Sequence, residues 1–76
     1  MTKATKLDAE IGEKIRVNRA IKKRSQPWLG KNIGKSRQQL QNYEAGKHRV
    51  AASCLYTIAK VLKTPINEFF PDKNAK

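Results

Sequence analysis

The chain has 76 residues, with 17 Lys and Arg against 6 Asp and Glu, and its net charge at pH 7 is +11. This length accommodates one domain with a small core and excludes enzyme folds that need about 200 residues. The only cysteine, Cys54, excludes an internal disulfide and suits a reducing cytoplasm, and the longest run without a charged residue, 50–59, is too short to cross a bilayer. We therefore expect no membrane partner.

The positive charge is concentrated in the middle of the chain. Residues 14–49 hold eleven Lys and Arg and one acid, Glu44. A field of this kind attracts polyanions, nucleic acid first and an anionic membrane second. The less favoured interpretation is that the basic surface serves only to keep the protein soluble, because almost no acid balances its charge. The composition therefore predicts a nucleic-acid-binding protein of the cytoplasm, associated with the nucleoid.

The predicted elements are helices, because no segment alternates between apolar and polar residues for long enough to form a strand. A first helix is predicted over 8–23 from the spacing of Ile11 and Ile15, with Ile21 close to the same face. Asp8 lies in its first turn, where a carboxylate suits the positive end of the helix dipole.

Two serines predict the starts of the next two helices. Ser25 is the expected N-cap of a second helix, which carries Pro27 in its first turn and ends at Gly34, a residue that tolerates the left-handed conformation. Ser36 is the expected N-cap of a third helix. Gln39 follows three residues later, so the pair predicts a capping box.

The third helix is predicted to end at Gly46, and two more helices follow it. The fourth shows an apolar stripe at helical spacing, which consists of Ala52, Leu55, Ile58, Ala59 and Leu62. Thr64 is the expected cap of a last short helix, with Pro65 at its first position and Pro71 as its stop.

These elements predict an all-α fold, a compact bundle of about five short helices. One domain is expected over 8–71, between a flexible N-terminus, 1–7, and a flexible tail, 72–76. The second and third helices, joined by a short turn that contains Gly34, have the pattern of a helix-turn-helix. Gly30 is small where these two helices would cross, and a bulkier residue there would push them apart.

The outward face of the third helix carries side chains that recognise base edges. These side chains are Arg37, Gln38, Gln41 and Asn42. Arg forms paired hydrogen bonds with guanine, and Gln or Asn forms them with adenine. A solvated helix face would more often carry Glu and Lys. The pattern, inside a strongly basic segment, favours DNA contact by the third helix.

Between residues 11 and 70 the chain resembles the lambda-repressor-like (Cro/CI, Xre-type) family of helix-turn-helix DNA-binding domains. The matching letters are SQPWLGKNIGKSRQQLQNYEAGKHR, followed by LYTIAKVLKTPINEFF. The resemblance implies that the third helix faces the major groove through Ser36, Arg37, Gln38, Gln41 and Asn42. It also implies a partly buried ion pair between Arg19 and Glu44.

Contacts with the DNA backbone are expected around this helix. The resemblance implies them for the first residue of the second helix and for the loop 47–49, and we add the lysine before the third helix. The expected phosphate-contacting set is Gln26, Lys35, Lys47, His48 and Arg49.

The chain departs from the family pattern at several places, and two of them concern the surroundings of Trp28. Pro27-Trp28 stands where acidic or polar residues are usual, and Arg24 stands where an apolar residue is usual. We interpret Trp28 as packing over the gap that Arg24 leaves in the core. The alternative is an exposed Trp that stacks on a sugar or phosphate.

Surplus apolar surface near the C-terminal end predicts a homodimer. Leu62, Ile66, Phe69 and Phe70 crowd this end, and a small core accepts only part of them. We expect Phe69 inside the protomer and Ile66 with Phe70 at the dimer interface. The two third helices would then read the half-sites of a palindromic operator, about 34–36 Å apart. The alternative is that all four residues close the core of a monomer.

No catalytic residue, metal, cofactor or small-molecule ligand is expected. His48 and Cys54 are the only residues of their kinds, whereas a zinc site needs three or four such ligands. The preferred function is a sequence-specific, double-stranded DNA-binding transcriptional regulator, acting as a repressor and not as an enzyme. The alternatives are an antitoxin-like protein whose main partner is another protein, and a non-specific basic nucleic-acid-binding module.

Overall fold

The computed structural model describes residues 5–71. Within them lie four α-helices and one 3-10 turn, and none of these residues forms a strand. The elements in chain order are α1 (Lys6–Ile21), α2 (Gln26–Ile33), α3 (Arg37–Glu44), α4 (Ala52–Val61) and the 3-10 turn Ile66–Phe69. The all-α class is confirmed. The predicted termini fall mostly on 1–4 and 72–76, outside the described residues.

The fifth predicted helix is only a single 3-10 turn, so the expected number of helices is corrected to four α-helices within residues 5–71. The turn closes through bonds from Glu68 N to Pro65 O and from Phe70 N to Asn67 O. Thr64 does not cap it, because its hydroxyl donates to the carbonyl of Leu62 at 3.1 Å. Too few residues separate the two prolines for a longer helix to form.

Helix α1 begins before the predicted first residue, Asp8, and includes Leu7. Thr5 is its N-cap: Asp8 N donates to Thr5 Oγ1 at 3.2 Å, and Thr5 N donates to Asp8 Oδ2 at 2.7 Å. This is a reciprocal capping box. The helix also ends earlier than predicted, and Ile21 is 66% exposed, so it does not share the buried face of α1.

The two serine caps are confirmed. Ser25 Oγ accepts from Trp28 N at 3.1 Å, and Ser36 Oγ accepts from Gln39 N at 3.0 Å. The capping box predicted for α3 is only half formed, because the Gln39 side chain donates to the hydroxyl of Tyr43 at 3.1 Å instead. Its amide is therefore turned along the helix and away from the N-cap.

All four α-helices end in the same way. The residue after each last turn is left-handed, and these residues are Lys23, Gly34, Gly46 and Lys63. The following N–H bonds back across the turn, as Arg24 N does to Arg19 O and Thr64 N to Ala59 O. This is the Schellman arrangement, which satisfies the orphan carbonyls of a helix end. Two of the four positions carry lysine, whose Cβ makes this conformation costly.

The core lies between α1, α2, α3 and α4, and Phe69 closes it. Its buried apolar side chains are Ile11, Ile15, Leu29, Leu40, Tyr43, Leu55, Ile58, Ala59, Leu62 and Phe69. The predicted stripe of α4 is therefore buried except for Ala52, which is exposed. Tyr56 is 58% exposed and lies outside the core. Cys54 is a small, partly buried side chain that packs against the core.

Two glycines bring α3 close to its supporting helices. A Cβ on Gly30 would lie 2.7 Å from the carbonyl oxygen of Lys35, as expected for a small residue at the crossing of α2 and α3. A Cβ on Gly12 would overlap the carbonyl oxygen of Tyr43. Close packing on both sides holds α3 in a fixed position, with its remaining face towards solvent.

Candidate nucleic-acid interface

The outward face of α3 is formed by polar side chains. Ser36, Arg37, Gln38 and Gln41 are exposed, and Asn42 is half-exposed. The opposite face of α3 holds the buried Leu40 and Tyr43. The five residues expected to contact bases thus lie on one helix that is capped at its start and packed along its back. Such a helix presents hydrogen-bonding groups on a rigid support.

Two of these side chains are bonded to one another. Gln38 Nε2 donates to Asn42 Oδ1 at 3.3 Å, one helical turn further along. The other Gln of this helix near the N-cap, Gln39, is half-buried and directed at Tyr43. The amides of α3 are therefore not equivalent. Gln39 bonds within the protein and Gln38 bonds to Asn42, whereas Gln41 stands at a different angle around the helix axis.

Glu44, at the end of α3, joins three helices. Its carboxylate accepts from Arg19 Nε at 2.7 Å and from Arg19 Nη2 at 3.0 Å, and also from Gln26 Nε2 at 3.0 Å. Only 3% of the Glu44 side chain is exposed, against 16% for Arg19. The pair expected from the resemblance is therefore present in the structure. Gln26, expected at a phosphate, donates one amide hydrogen inward.

The loop between α3 and α4 carries three of the residues expected at phosphates. Lys47, His48 and Arg49 are all exposed. Arg49 Nε donates to Asp8 Oδ2 at 3.3 Å, which ties the loop to the first turn of α1. Gly46 also approaches Ala9, since a Cβ on this glycine would lie 2.7 Å from Ala9 Cα. The loop is thus fastened to α1 at two points.

Asp8 was not identified from the sequence as part of this region. The Thr5 backbone N–H is the main reason why the pKa of Asp8 lies below its ordinary value; desolvation of the buried carboxyl opposes this effect, and Arg49 adds to it. Because 41 residues separate Asp8 from Arg49, no local spacing pattern could have indicated the contact. Lys35, the remaining expected phosphate contact, is exposed in the turn before α3.

Trp28 lies half-buried against the core, as interpreted from the sequence. The guanidinium carbon of Arg24 lies 4.3 Å from the centre of the Trp28 ring. At this distance a cation over an indole face is attracted by the ring quadrupole. The apolar residue usual at position 24 is therefore replaced by an arginine that covers the indole from outside.

A second exposed region lies at and after the 3-10 turn. Ile66 is 41% exposed and Phe70 is 36% exposed, whereas Phe69 beside them is fully buried. Tyr56 and Ile66 line one groove together with Lys60. The expected division of the two phenylalanines between core and surface is therefore present in the protomer.

Residues 5–71 contain neither a cluster of metal-ligating side chains nor a membrane-spanning helix. Between residues 5 and 71, no group of three His, Cys, Asp or Glu residues lies close enough together to hold a metal ion. No helix in the same range combines the length and the apolar character needed to cross a bilayer.

Known proteins resemble this chain along most of its length. A transcriptional regulator in the ATPase CF(0) region of Rhodospirillum rubrum is 46% identical over 66 residues, which cover 87% of this chain and 61% of the relative. An HTH-type transcriptional regulator of Sinorhizobium medicae is 40% identical over 70 residues, covering 92% of this chain and 50% of the relative. The chain thus spans about half to three fifths of the length of these curated relatives.

The fold is also found in solved structures. The restriction-modification controller protein C.AhdI from Aeromonas hydrophila superposes with a TM-score of 0.77 at 26% identity, covering 82% of this chain and 94% of that protein. The family model described as Helix-turn-helix matches residues 15–69. This match includes the capped α2 and α3 and the buried Phe69 described above. The chain therefore belongs to the lambda-repressor-like (Cro/CI, Xre-type) helix-turn-helix family.

Proposed function

We propose that this chain is a sequence-specific, double-stranded DNA-binding transcriptional regulator of the cytoplasm, which acts as a repressor by occupying its operator. The observation that carries the proposal is the exposed face of α3. Arg37, Gln38 and Gln41 extend into solvent from a short helix that is capped by Ser36 and packed along its back. An α-helix fits the major groove of B-DNA, and these side-chain types form paired bonds with guanine and adenine.

The surroundings of α3 support this placement. Gln26, Lys35, Lys47, His48 and Arg49 lie at the start of α2, in the turn before α3 and in the loop after it. Contacts from such flanking positions to phosphates set the register of a protein on the duplex without reading its sequence. The excess of Lys and Arg, with a net charge of +11, would attract the duplex over a longer range.

The active form in this proposal is a homodimer joined through Ile66 and Phe70. Both side chains are partly exposed beside a fully buried Phe69, and large apolar groups left in water favour association. A two-fold axis near them would present two copies of α3 to half-sites about 34–36 Å apart. The relatives named as transcriptional regulators and the restriction-modification controller protein support a role in gene regulation.

Selection of bound sites from random duplex DNA tests the proposal. We expect enrichment of an inverted repeat, followed by reduced expression of a reporter that carries this repeat in its promoter. Equal binding to every duplex, or to RNA, would instead indicate a non-specific basic module. The absence of binding at moderate salt would leave a protein partner as the main function.

The phosphate contacts are tested by the salt dependence of binding. Each phosphate contact contributes about −0.9 to the slope of log affinity against log salt concentration. Lys47→Ala is expected to reduce the magnitude of this slope by about one such unit and to weaken all sequences alike. Lys14→Ala, at a half-buried position of α1, removes the same charge from a different element and is the matched control. A changed base preference with an intact slope would contradict the role given to Lys47.

A further inference from the structure

The amides of α3 differ in what they can offer to DNA. Gln39 is committed to the hydroxyl of Tyr43 at 3.1 Å. Gln38 Nε2 donates to Asn42 Oδ1 at 3.3 Å, whereas Gln41 lies on a different line along the helix. Gln38 and Asn42 are four residues apart, the separation at which helical side chains lie one above the other. They therefore form one hydrogen-bonding unit on the exposed face.

The direction of this bond determines which base Gln38 suits. A glutamine amide has two N–H donors and one carbonyl acceptor. Donation to Asn42 uses one hydrogen and leaves the carbonyl oxygen with one N–H. In the major groove adenine presents an acceptor and a donor, N7 and the N6 amino group, whereas guanine presents two acceptors. The remaining pair of groups on Gln38 therefore matches adenine and not guanine.

Asn42 is placed to hold Gln38 in this orientation. It is half-exposed near the C-terminal end of α3, and its backbone carbonyl accepts from Lys47 N at 2.9 Å. A base must approach the more exposed Gln38 from solvent, while Asn42 accepts its hydrogen bond from one helical turn further along α3. Fixing a mobile side chain before binding reduces the conformational entropy that is lost in the complex.

We infer that Gln38 reads an adenine in each half-site and that Asn42 is a positioning residue for Gln38, not a second, independent reader. The inference rests on the proposed function, because it assigns the specificity of the same surface. It differs from the sequence-based expectation, in which Gln38 and Asn42 contact bases separately.

The test is site selection from random duplex DNA with the full chain and four variants: Gln38→Ala, Asn42→Ala, the double variant and Gln41→Ala. Gln38→Ala is expected to lower the preference for adenine at one position of each half-site by about 10- to 100-fold. Asn42→Ala is expected to relax the same position by about 2- to 10-fold, which is the effect of one freed side chain. The double variant should lose no more of the adenine preference than Gln38→Ala does. Gln41→Ala should leave the adenine preference at this position unchanged.

A conservative variant separates positioning from general effects on binding. Asn42→Asp keeps the acceptor for Gln38 and adds a negative charge, so it should retain the adenine preference while its affinity for all duplexes falls. All these side chains lie at the surface, and the fluorescence of the single Trp28 reports whether each variant is folded.

Three results would overturn the inference alone, and the first two are relaxation of a different position by Asn42→Ala and additive losses in the double variant. The same holds if Gln38→Ala abolishes a preference for guanine. A wild-type chain that enriches no sequence would remove the proposed function as well, and this outcome is seen before any variant is compared.

Discussion

The carboxylate of Glu44 and the guanidinium of Arg19 are joined by two hydrogen bonds, of 2.7 and 3.0 Å, between the end of α3 and α1. The same guanidinium donates to the carbonyl of Arg24 at 2.7 Å, in the turn before α2. One arginine thus connects α1, the end of α3 and the turn before α2. Glu44 is almost completely buried and Arg19 is less so. Removing Arg19 and removing Glu44 should therefore lower the free energy of unfolding by different amounts.

Arg19→Met is expected to lower the free energy of unfolding by about 3–5 kcal/mol, because it leaves a buried carboxylate without its counter-charge. Glu44→Gln is expected to cost less, about 1–3 kcal/mol, because Arg19 can still reach water and the new amide can still accept a bond. Urea unfolding followed by the fluorescence of Trp28 measures both values.

The exposed pair of Glu13 and Arg16 in α1 provides the matched control. These residues are bonded three positions apart in the chain, and about half of each side chain is in solvent. Arg16→Met should leave the unfolding midpoint nearly unchanged, since surface ion pairs contribute little. If Arg16→Met and Arg19→Met had the same effect, net charge and not the buried pair would explain the result.

A second prediction concerns the two lysines that end α1 and α4. Lys63 has φ 54°, a conformation that Gly adopts without strain and other residues adopt at a cost. Lys63→Gly is therefore expected to raise the free energy of unfolding by about 0.5–1 kcal/mol, after the greater flexibility of Gly in the unfolded chain is subtracted. The midpoint of urea unfolding measures this gain.

Gly34 provides the reverse experiment. It has φ 72°, and no other heavy atom lies within 4 Å of the position that a Cβ would occupy. Gly34→Ala should therefore lower the free energy of unfolding by about 1 kcal/mol through backbone strain alone, without a steric clash. A less stable Lys63→Gly together with an unaffected Gly34→Ala would show that these helix ends are not strained.

The local features of this fold could be predicted from short-range patterns. Ser25 and Ser36 are N-caps, and Gly34 is the left-handed residue, because each depends on the chain within four residues of itself. The burial of Phe69 and the exposure of Phe70 followed from the small size of the core. Ser36 and Gln39 show the limit of such patterns, since the Gln39 amide had a second partner, Tyr43, on the same helix.

The contacts that the sequence did not indicate depend on the tertiary structure. Asp8 meets Arg49 across 41 residues, and Gln26 meets Glu44 across 18. A charged residue has many possible partners in a basic chain, so composition alone does not select one. The left-handed conformation of Lys63 was not predicted either, because lysine prefers other conformations. In the folded chain this preference is outweighed by the need to end α4 after Leu62.

The third prediction is the pH dependence of stability. The pKa of Asp8 is lower in the folded chain than its ordinary value, mainly because Thr5 N–H donates to the carboxylate. Such a group contributes stability above its unfolded pKa, about 3.9, and the contribution is lost as the pH falls through the folded pKa. Asp8→Asn should therefore show a smaller fall in Tm than the wild type between about pH 5 and about pH 2, measured by circular dichroism.

Glu13→Gln separates this effect from surface charge. The pKa of Glu13 is also lowered, by the hydrogen bond from Arg16, but both side chains are exposed. At about 0.5 M salt this pair is screened, so Glu13→Gln should follow the wild type, whereas Asp8→Asn should still differ. If the difference for Asp8→Asn vanished at high salt, long-range charge and not the bond from Thr5 would be its cause.

The fourth prediction concerns the apolar surface near the C-terminal end. Phe70 and Ile66 are partly exposed next to a filled core, and Tyr56 lines the adjoining groove. Phe70→Glu should give a folded monomer by sedimentation, because a charge at a buried interface is unfavourable, and its affinity for an inverted repeat should fall sharply while a single half-site is bound as before. Leu7 is an exposed apolar residue of α1 that is 46% accessible. Leu7→Glu changes the charge equally, and this variant should remain a dimer.

If the Phe70→Glu chain sedimented as a dimer and bound the repeat normally, the interface would lie on another face. If the wild type were monomeric at concentrations where it binds the repeat, each half-site would be occupied by an independent copy, and Ile66 with Phe70 would remain in solvent in the complex.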